Sequence, residues 1–272
     1  MTNLLFYFYC NLFGEIMKQV IEQFIKNYWK PLLFFAIVGL VGGFCTGLYV
    51  LDSYPPEMQE EALLQGLTPT VMALVSAMQA AGYGIVLGVI GILLGKKTGL
   101  WKDETHLEKK PLLITLAIAI VGGLALILPD LLLFGKYNEA IMNSYAAKPT
   151  VVYIVGAILY GGVIEEVMLR LFWMTLIAFL LWKLFARKEE KPTLAILVAS
   201  NIIAALLFAA GHLPATFIMI GNSPLIIFRC FLLNGGFGLL FGYLYRKHGL
   251  RYSMLAHAGC HIVSKLSWIL FV

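Results

Sequence analysis

Residues Val151–Leu181 read VVYIVGAILYGGVIEEVMLRLFWMTLIAFLL, an apolar run long enough to cross a bilayer as one helix. Its only charged side chains are Glu165, Glu166 and Arg170. A charge at bilayer depth costs on the order of 3 kcal/mol even on mild insertion scales, so such groups persist where they are paired or have a function. The run therefore predicts a transmembrane helix that carries a functional site.

Helical spacing separates the roles of the two glutamates. Glu166 and Arg170 are four residues apart, so they share a helix face and can form an ion pair. Glu165 is turned about 100° away from Glu166 and lacks that partner. An ion pair that only fixes helix packing would explain Glu166 and Arg170 but not Glu165. We therefore predict that Glu166 and Arg170 support the site and that Glu165 is its general base.

The rest of the chain resembles this run in composition. Hydrophobic residues make up 60% of the chain, charged residues make up 13%, and the mean hydropathy is +0.85. This composition predicts an all-α fold, a polytopic transmembrane helical bundle of about seven to eight spans with an N-terminal interfacial amphipathic helix. The apolar runs lie at about Pro31–Leu51, Pro69–Leu94, Pro111–Phe134, Val151–Leu181, Thr193–Gly211, Leu225–Tyr245 and Tyr252–Val272.

The charges of the loops predict an orientation. Most of the 20 Lys and Arg residues fall in the N-terminal segment and in residues 96–110, 183–192 and 246–251, whereas the opposite loops hold only Lys136 and Lys148. The positive-inside rule therefore places the N-terminus of this integral membrane protein in the cytoplasm. The net charge of +5 then reflects loops that face anionic lipid, and it does not indicate nucleic-acid binding.

Residues 1–30 are predicted to form an amphipathic membrane-surface segment, ahead of a single transmembrane domain at 31–272. A helix docked on the cytoplasmic loops would explain the pattern equally well. The apolar stripe that carries the prediction comprises Ile16, Met17, Val20, Ile21, Phe24, Ile25, Tyr28 and Trp29.

Three histidines lie in apolar surroundings. His212 is predicted at the far end of the fifth span, and His257 and His261 are four residues apart, so they share a face of the seventh. Glu165 and His212 lie almost equally far from the turn at 187–191, so they are expected at matching heights, where they could share one water.

The depth of His257 is the difficult part of this arrangement. His257 lies only about 9 Å of helix beyond Arg251, whereas Glu165 lies about 33 Å from Arg187. Convergence therefore requires a helix break near Trp173, a strong tilt, or a turn between the sixth and seventh spans that is buried in the bundle.

The order of these motifs resembles the CPBP intramembrane proteases, which include the type II CAAX prenyl endopeptidases and the bacteriocin-processing and immunity proteins called Abi. The resemblance covers about 151–265, the expected catalytic core. His261 departs from the pattern, because the family usually carries Asn at that position. The matching residues are Glu165, Glu166 and Arg170 in EExxxR, Phe208 and His212 in FxxxH, and His257 in the third motif.

The resemblance implies an intramembrane endopeptidase that acts on a membrane-associated or prenylated peptide or protein. Glu165 and His212 would activate a water, while His257 and its partner, here His261, would hold the oxyanion. A histidine replaces Asn as a donor only if the correct nitrogen carries a proton or the ring is charged. The breadth of the family favours a bacterial plasma membrane. The expected partners are the peptide substrate and the lipid bilayer, with no nucleic acid.

Three alternatives stay open. No cofactor is favoured, since no HExxH is present, but zinc or another divalent metal could be held. The fold could instead serve a non-catalytic bacteriocin-immunity or scaffold protein. A proton-coupled transporter is less favoured, because no inverted repeat is visible. The candidate metal ligands are Glu165, His212, His257 and His261.

Overall fold

The computed structural model describes residues 2–103 and 106–272, and it describes the side chains of residues 18, 22–103 and 106–272. Within these ranges the chain is helical and forms no strand, which confirms the predicted all-α fold. The α-helices are Thr2–Val50, Pro56–Leu64, Pro69–Gly82, Gly88–Thr98, Lys109–Leu132, Glu139–Asn143, Val151–Gly156, Thr175–Phe185, Leu194–Met219, Pro224–Cys230, Gly236–His248 and Leu250–Phe271. Short 3₁₀ turns occupy Leu51–Ser53 and Phe134–Lys136.

Among the described residues, seven helical spans are long and apolar enough to cross a membrane, as predicted. Their outward faces expose large apolar side chains such as Leu74, Val121 and Leu206, which suits contact with lipid. From first to seventh, the spans are Glu22–Ser53, Pro69–Thr98, Lys109–Lys136, Val151–Phe185, Leu194–Met219, Pro224–His248 and Leu250–Phe271.

The fifth span is longer than its apolar run predicts. It continues through Pro214 to Met219, so the prediction that His212 lies at its far end is wrong. His212 lies about two turns before that end. Proline is tolerated here because neighbouring groups in a membrane bundle can satisfy the freed backbone carbonyl.

The chain divides into two compact units, Met1–Phe34 and Phe35–Val272. The membrane-surface role of residues 1–30 stays a prediction. Of its apolar stripe, the side chains of Ile16, Met17, Val20 and Ile21 lie outside the described residues.

Wider π-helical turns interrupt three of the spans. Such turns recur at functional sites, because they re-aim side chains while the helix continues. Glu165 and Glu166 occupy the short α-helical step between two of them. The π-helical segments are Tyr83–Leu87, Ala157–Ile164, Val167–Met174 and Phe231–Gly235.

Two glycines bring the fourth span against the seventh. A Cβ atom added at Gly162 would lie 2.6 Å from the Cβ of Ala258, and one added at Gly161 would lie 2.6 Å from Nε2 of His261. Small residues at such crossings let two helix backbones approach closely. The approach places the glutamates of the fourth span beside the histidines of the seventh.

The turn between the sixth and seventh spans is partly buried: Gly249 and Leu250 are buried, whereas Lys247 and Arg251 are exposed. Gly249 makes this turn with a φ of 104°, and Tyr252 and Ser253 that follow it are 3% and 0% exposed. Lys102 donates to the carbonyl of Lys247, and the backbone N–H of Glu108 donates to the Tyr252 hydroxyl. The loop after the second span therefore packs against this turn and against the first turn of the seventh helix.

Candidate active site

Glu166 and Arg170 form the predicted ion pair. Oε1 of Glu166 lies 3.0 Å from Nη1 of Arg170, and the two side chains are 0% and 2% exposed. Arg170 also donates from Nη2 to the carbonyl of Gly238, at 3.1 Å, and its guanidinium lies 5.0 Å from the centre of the Phe208 ring. The pair therefore links the fourth span to the fifth and sixth.

Glu166 has a second partner that sequence spacing did not reveal. Nδ1 of His257 lies 2.9 Å from Oε1 of Glu166. Because an ionised carboxylate only accepts hydrogen bonds, we assign a proton to Nδ1 of His257. In the neutral imidazole the other nitrogen, Nε2, is then free to accept.

Glu165 faces that free nitrogen. Its Oε2 lies 4.0 Å from Nε2 of His257, and its side chain is 19% exposed, whereas Glu166 is fully buried. This separation exceeds a direct hydrogen bond. It is a distance at which one water can bridge two polar groups. The two glutamates are therefore inequivalent, since one binds His257 directly and the other stands across a gap from it.

Aromatic rings fix the plane of His257. The Phe241 ring stacks on His257 with centroids 4.5 Å apart, and the His261 ring stacks on it at 4.9 Å. The Phe208 ring is nearly perpendicular to it, with centroids 6.1 Å apart. With Nδ1 bound to Glu166 and these rings packed around it, the imidazole of His257 has a fixed orientation, and so does its Nε2.

His261 is the least satisfied member of the group. Its Nδ1 is buried and has no hydrogen-bond partner among the described residues. His212, His257 and Lys265 lie near enough to interact with it electrostatically. His261 therefore has a buried ring nitrogen without a recorded hydrogen-bond partner, on a ring that stacks on His257.

His212 is held by its own helix. Nδ1 lies 2.8 Å from the carbonyl of Phe208, and the two rings meet edge to face at 4.6 Å. A carbonyl accepts, so the proton is on Nδ1 and Nε2 is the free nitrogen. The polar partner that the structure gives Glu165 is His257, and a water shared between Glu165 and His212 stays a prediction.

The described residues show no assembled metal site. In the part of the chain with described side chains, no three His, Cys, Asp or Glu residues are placed to hold one ion. The four ligands considered from sequence are therefore not gathered as a zinc site would require.

Residues 147–263 match the sequence model of a family described as type II CAAX prenyl endopeptidase Rce1-like. This segment belongs to that family. The predicted membership of the CPBP group is thereby confirmed, and every residue of the candidate site lies inside the matched segment. Searches of curated proteins and of solved structures returned no significant match.

A second polar cluster includes two residues outside the family segment, Asp130 and Tyr145. Nε and Nη2 of Arg229 donate to the two carboxylate oxygens of Asp130, and the Tyr145 hydroxyl donates to Oδ2. Burial, reinforced by Asp130, raises the pKa of the Tyr145 phenol, so it stays a neutral donor at ordinary pH. Sequence reasoning missed this cluster, although the third and sixth apolar runs each carry a single charge and the two charges are opposite.

Proposed function

We propose that this protein is an intramembrane endopeptidase that hydrolyses a peptide bond of a membrane-associated or prenylated peptide with a water activated by Glu165 and His257. One observation carries the proposal. Oε2 of Glu165 and Nε2 of His257 face each other across 4.0 Å, and Glu166 holds the other nitrogen of the same ring. Membership of a CAAX endopeptidase family supports the reaction class.

The first step is the attack of water. Glu165 takes one proton from the water, while the other O–H of the water donates a hydrogen bond to Nε2 of His257, which orients the oxygen. The oxygen forms a bond to the carbonyl carbon, and the carbonyl oxygen becomes an oxyanion. This assignment moves His257 from the oxyanion, its expected role, to the water, because Nε2 is an acceptor in the neutral ring.

His261 and His212 are assigned to the later steps, in which the oxyanion is stabilised and the departing amine is protonated. We assign the oxyanion to His261, whose buried Nδ1 has no partner among the described groups. When the carbon–nitrogen bond breaks, the departing amine takes a proton that Glu165 received, directly or through His212. The loss of one oxyanion donor typically costs about 100- to 1000-fold in rate.

An apolar groove between the third and sixth spans suits the lipid part of a substrate. Its volume is about 700 Å³, and its lining is almost wholly apolar. Phe237 in its wall stacks on Phe241, which stacks on His257. A prenyl chain in this groove would lie two rings away from the reacting water, so we assign the chain to it.

The test is cleavage of a farnesylated CAAX peptide by the purified protein in lipid nanodiscs. Glu165→Gln keeps the shape of the side chain and removes its basicity, so cleavage should fall at least about 100-fold, the lower end of a general-base contribution. Glu57→Gln makes the same chemical change on an exposed helix outside the spans and should cleave normally.

Unaltered cleavage by Glu165→Gln would contradict the role of Glu165 as the general base. A wild-type protein that binds the peptide without cleaving it would favour the scaffold alternative. Comparison of membrane peptides from cells with wild-type or Glu165→Gln protein would then identify the natural substrate.

A further inference from the structure

Three basic residues lie inside the apolar runs, and they are not equally neutralised. Arg170 pairs with Glu166, and Arg229 pairs with Asp130. No carboxylate of the described residues lies within ion-pair distance of Lys265. An uncompensated charge within a span is costly, so a functional partner is the default expectation.

Among the described side chains, the contacts of the Lys265 head group are to neutral residues, Tyr153 and Trp268. Nζ donates to the hydroxyl of Tyr153 at 3.2 Å and lies 4.7 Å from the centre of that ring and 5.5 Å from the centre of the Trp268 ring. These contacts position the ammonium without cancelling its charge. Lys265 is also one helical turn beyond His261, with which it interacts electrostatically.

We propose that Lys265 binds the terminal α-carboxylate of the peptide substrate and so sets the distance between the cleaved bond and the C-terminus. The inference rests on the proposed endopeptidase function and assigns a specificity-determining residue to that site. The chemistry is an ammonium–carboxylate pair, which is strong where water is scarce.

The spacing along the seventh helix fits a short C-terminal peptide. Lys265 lies eight residues beyond His257, a rise of about 12 Å. An extended peptide advances roughly 3.3–3.6 Å per residue, so three residues cover about 10–11 Å. A substrate whose bond lies at His257 would then place its carboxylate near Lys265 if three residues follow the bond. A CAAX terminus has three residues after its cysteine.

The direction along the helix also fits. With the orientation that the loop charges predict, the seventh span runs away from the cytoplasm, from His257 through His261 to Lys265. A substrate anchored at the cytoplasmic face would present its C-terminus first and deepest. Lys265 is the first cation that such a terminus would meet beyond the histidines of this helix.

A different account of Lys265 is purely structural. A lysine near the end of a span can extend its ammonium to the interface, where Tyr and Trp side chains collect. In that case Lys265 would support the membrane position of the helix and would be indifferent to the substrate terminus. The two accounts differ in their response to an amidated peptide.

The experiment measures binding to the Glu165→Gln protein, so that turnover does not interfere. The probe is a farnesylated, fluorescent peptide that ends in Cys and three apolar residues, prepared as the free acid and as the C-terminal amide, in nanodiscs of zwitterionic lipid. With Lys265 present, the acid should bind roughly tenfold more tightly than the amide or better. In Lys265→Met this ratio should fall to about one, whereas Lys265→Arg should retain a preference for the acid.

Lys148→Met is the matched control. Lys148 lies in the same region but donates to the backbone carbonyls of Trp268 and Ile269, so its removal should leave the acid-to-amide ratio unchanged. A ratio near one with Lys265 intact, an unchanged ratio in Lys265→Met, or an absence of binding by either peptide would overturn the inference. Cleavage by the wild-type protein tests the endopeptidase function separately, so the two failures are distinguishable.

Discussion

Two carboxylate–arginine pairs lie in this bundle, each with a fully buried carboxylate, and they are built differently. Both oxygens of Asp130 accept hydrogen bonds from Arg229, and Tyr145 adds a third. In the other pair, Oε1 of Glu166 contacts both Arg170 and His257, while Oε2 makes no hydrogen bond of ordinary geometry, although the Ser253 side chain lies near this carboxylate.

The difference separates a closed cluster from an open one. A buried polar atom without a partner costs roughly 1–3 kcal/mol, so a pair that only supports packing is expected to be fully satisfied. The Asp130 cluster meets that expectation. Beside Glu166, by contrast, lie the partly exposed Glu165 and the orphaned nitrogen of His261. We interpret the closed cluster as structural and the open one as the place where substrate completes the bonding.

Glu166→Gln should have the largest effect, because it damages both stability and catalysis. Arg170 would be left charged and unpaired, a loss of about 3–5 kcal/mol where a pair is buried. His257 would lose its charged acceptor, so cleavage should fall as well. Denaturant unfolding and peptide cleavage measure the two losses, and Glu165→Gln should show only the second. If both variants unfolded alike and were equally inactive, the two glutamates would not have separate roles.

Asp130→Asn should lower stability by less, at most about 3–5 kcal/mol, because the partly buried Arg229 would remain charged without its partner. Cleavage per folded molecule should stay near the wild-type value. The double variant Asp130→Asn with Arg229→Met removes the stranded charge and should recover much of the lost stability. A stable Asp130→Asn protein that has lost cleavage would instead place this cluster in the reaction.

His261→Ala should leave the fold intact and reduce the cleavage rate by roughly 100-fold, the scale for one oxyanion donor. His261→Asn should stay active, since an amide donates without needing a particular tautomer. The check is the rate at saturating peptide, with unfolding curves for both variants. Full activity in His261→Ala would show that His261 has only a packing role. An inactive but folded His261→Asn would indicate metal binding or proton transfer.

Sequence patterns predicted those features that depend on one helix at a time. Hydropathy located the seven spans, and a four-residue spacing identified the Glu166–Arg170 pair. The same spacing placed His257 and His261 on one face, where their rings stack.

Contacts between helices could not be predicted in this way. The bond from His257 to Glu166 depends on how the fourth and seventh spans cross, and the Asp130–Arg229 pair depends on the third and sixth. Hydropathy also ended the fifth span too early, because the apolar run stops at Gly211 whereas the helix continues through Pro214, which a membrane bundle tolerates. Spacing within one helix carries no information on its neighbours.

The backbone conformation of Gly249 sets the direction in which the seventh helix leaves the turn, and so the position of His257. Its φ of 104° lies in a region that residues with a Cβ rarely adopt, and His257 stands about 12 Å of helix beyond it. A rotation of the helix by only about 10° at Gly249 would move the His257 ring by roughly 2 Å. A displacement of about 1 Å can cost 100-fold in rate. The alignment of the site with its water therefore depends on one backbone angle at a glycine that touches neither.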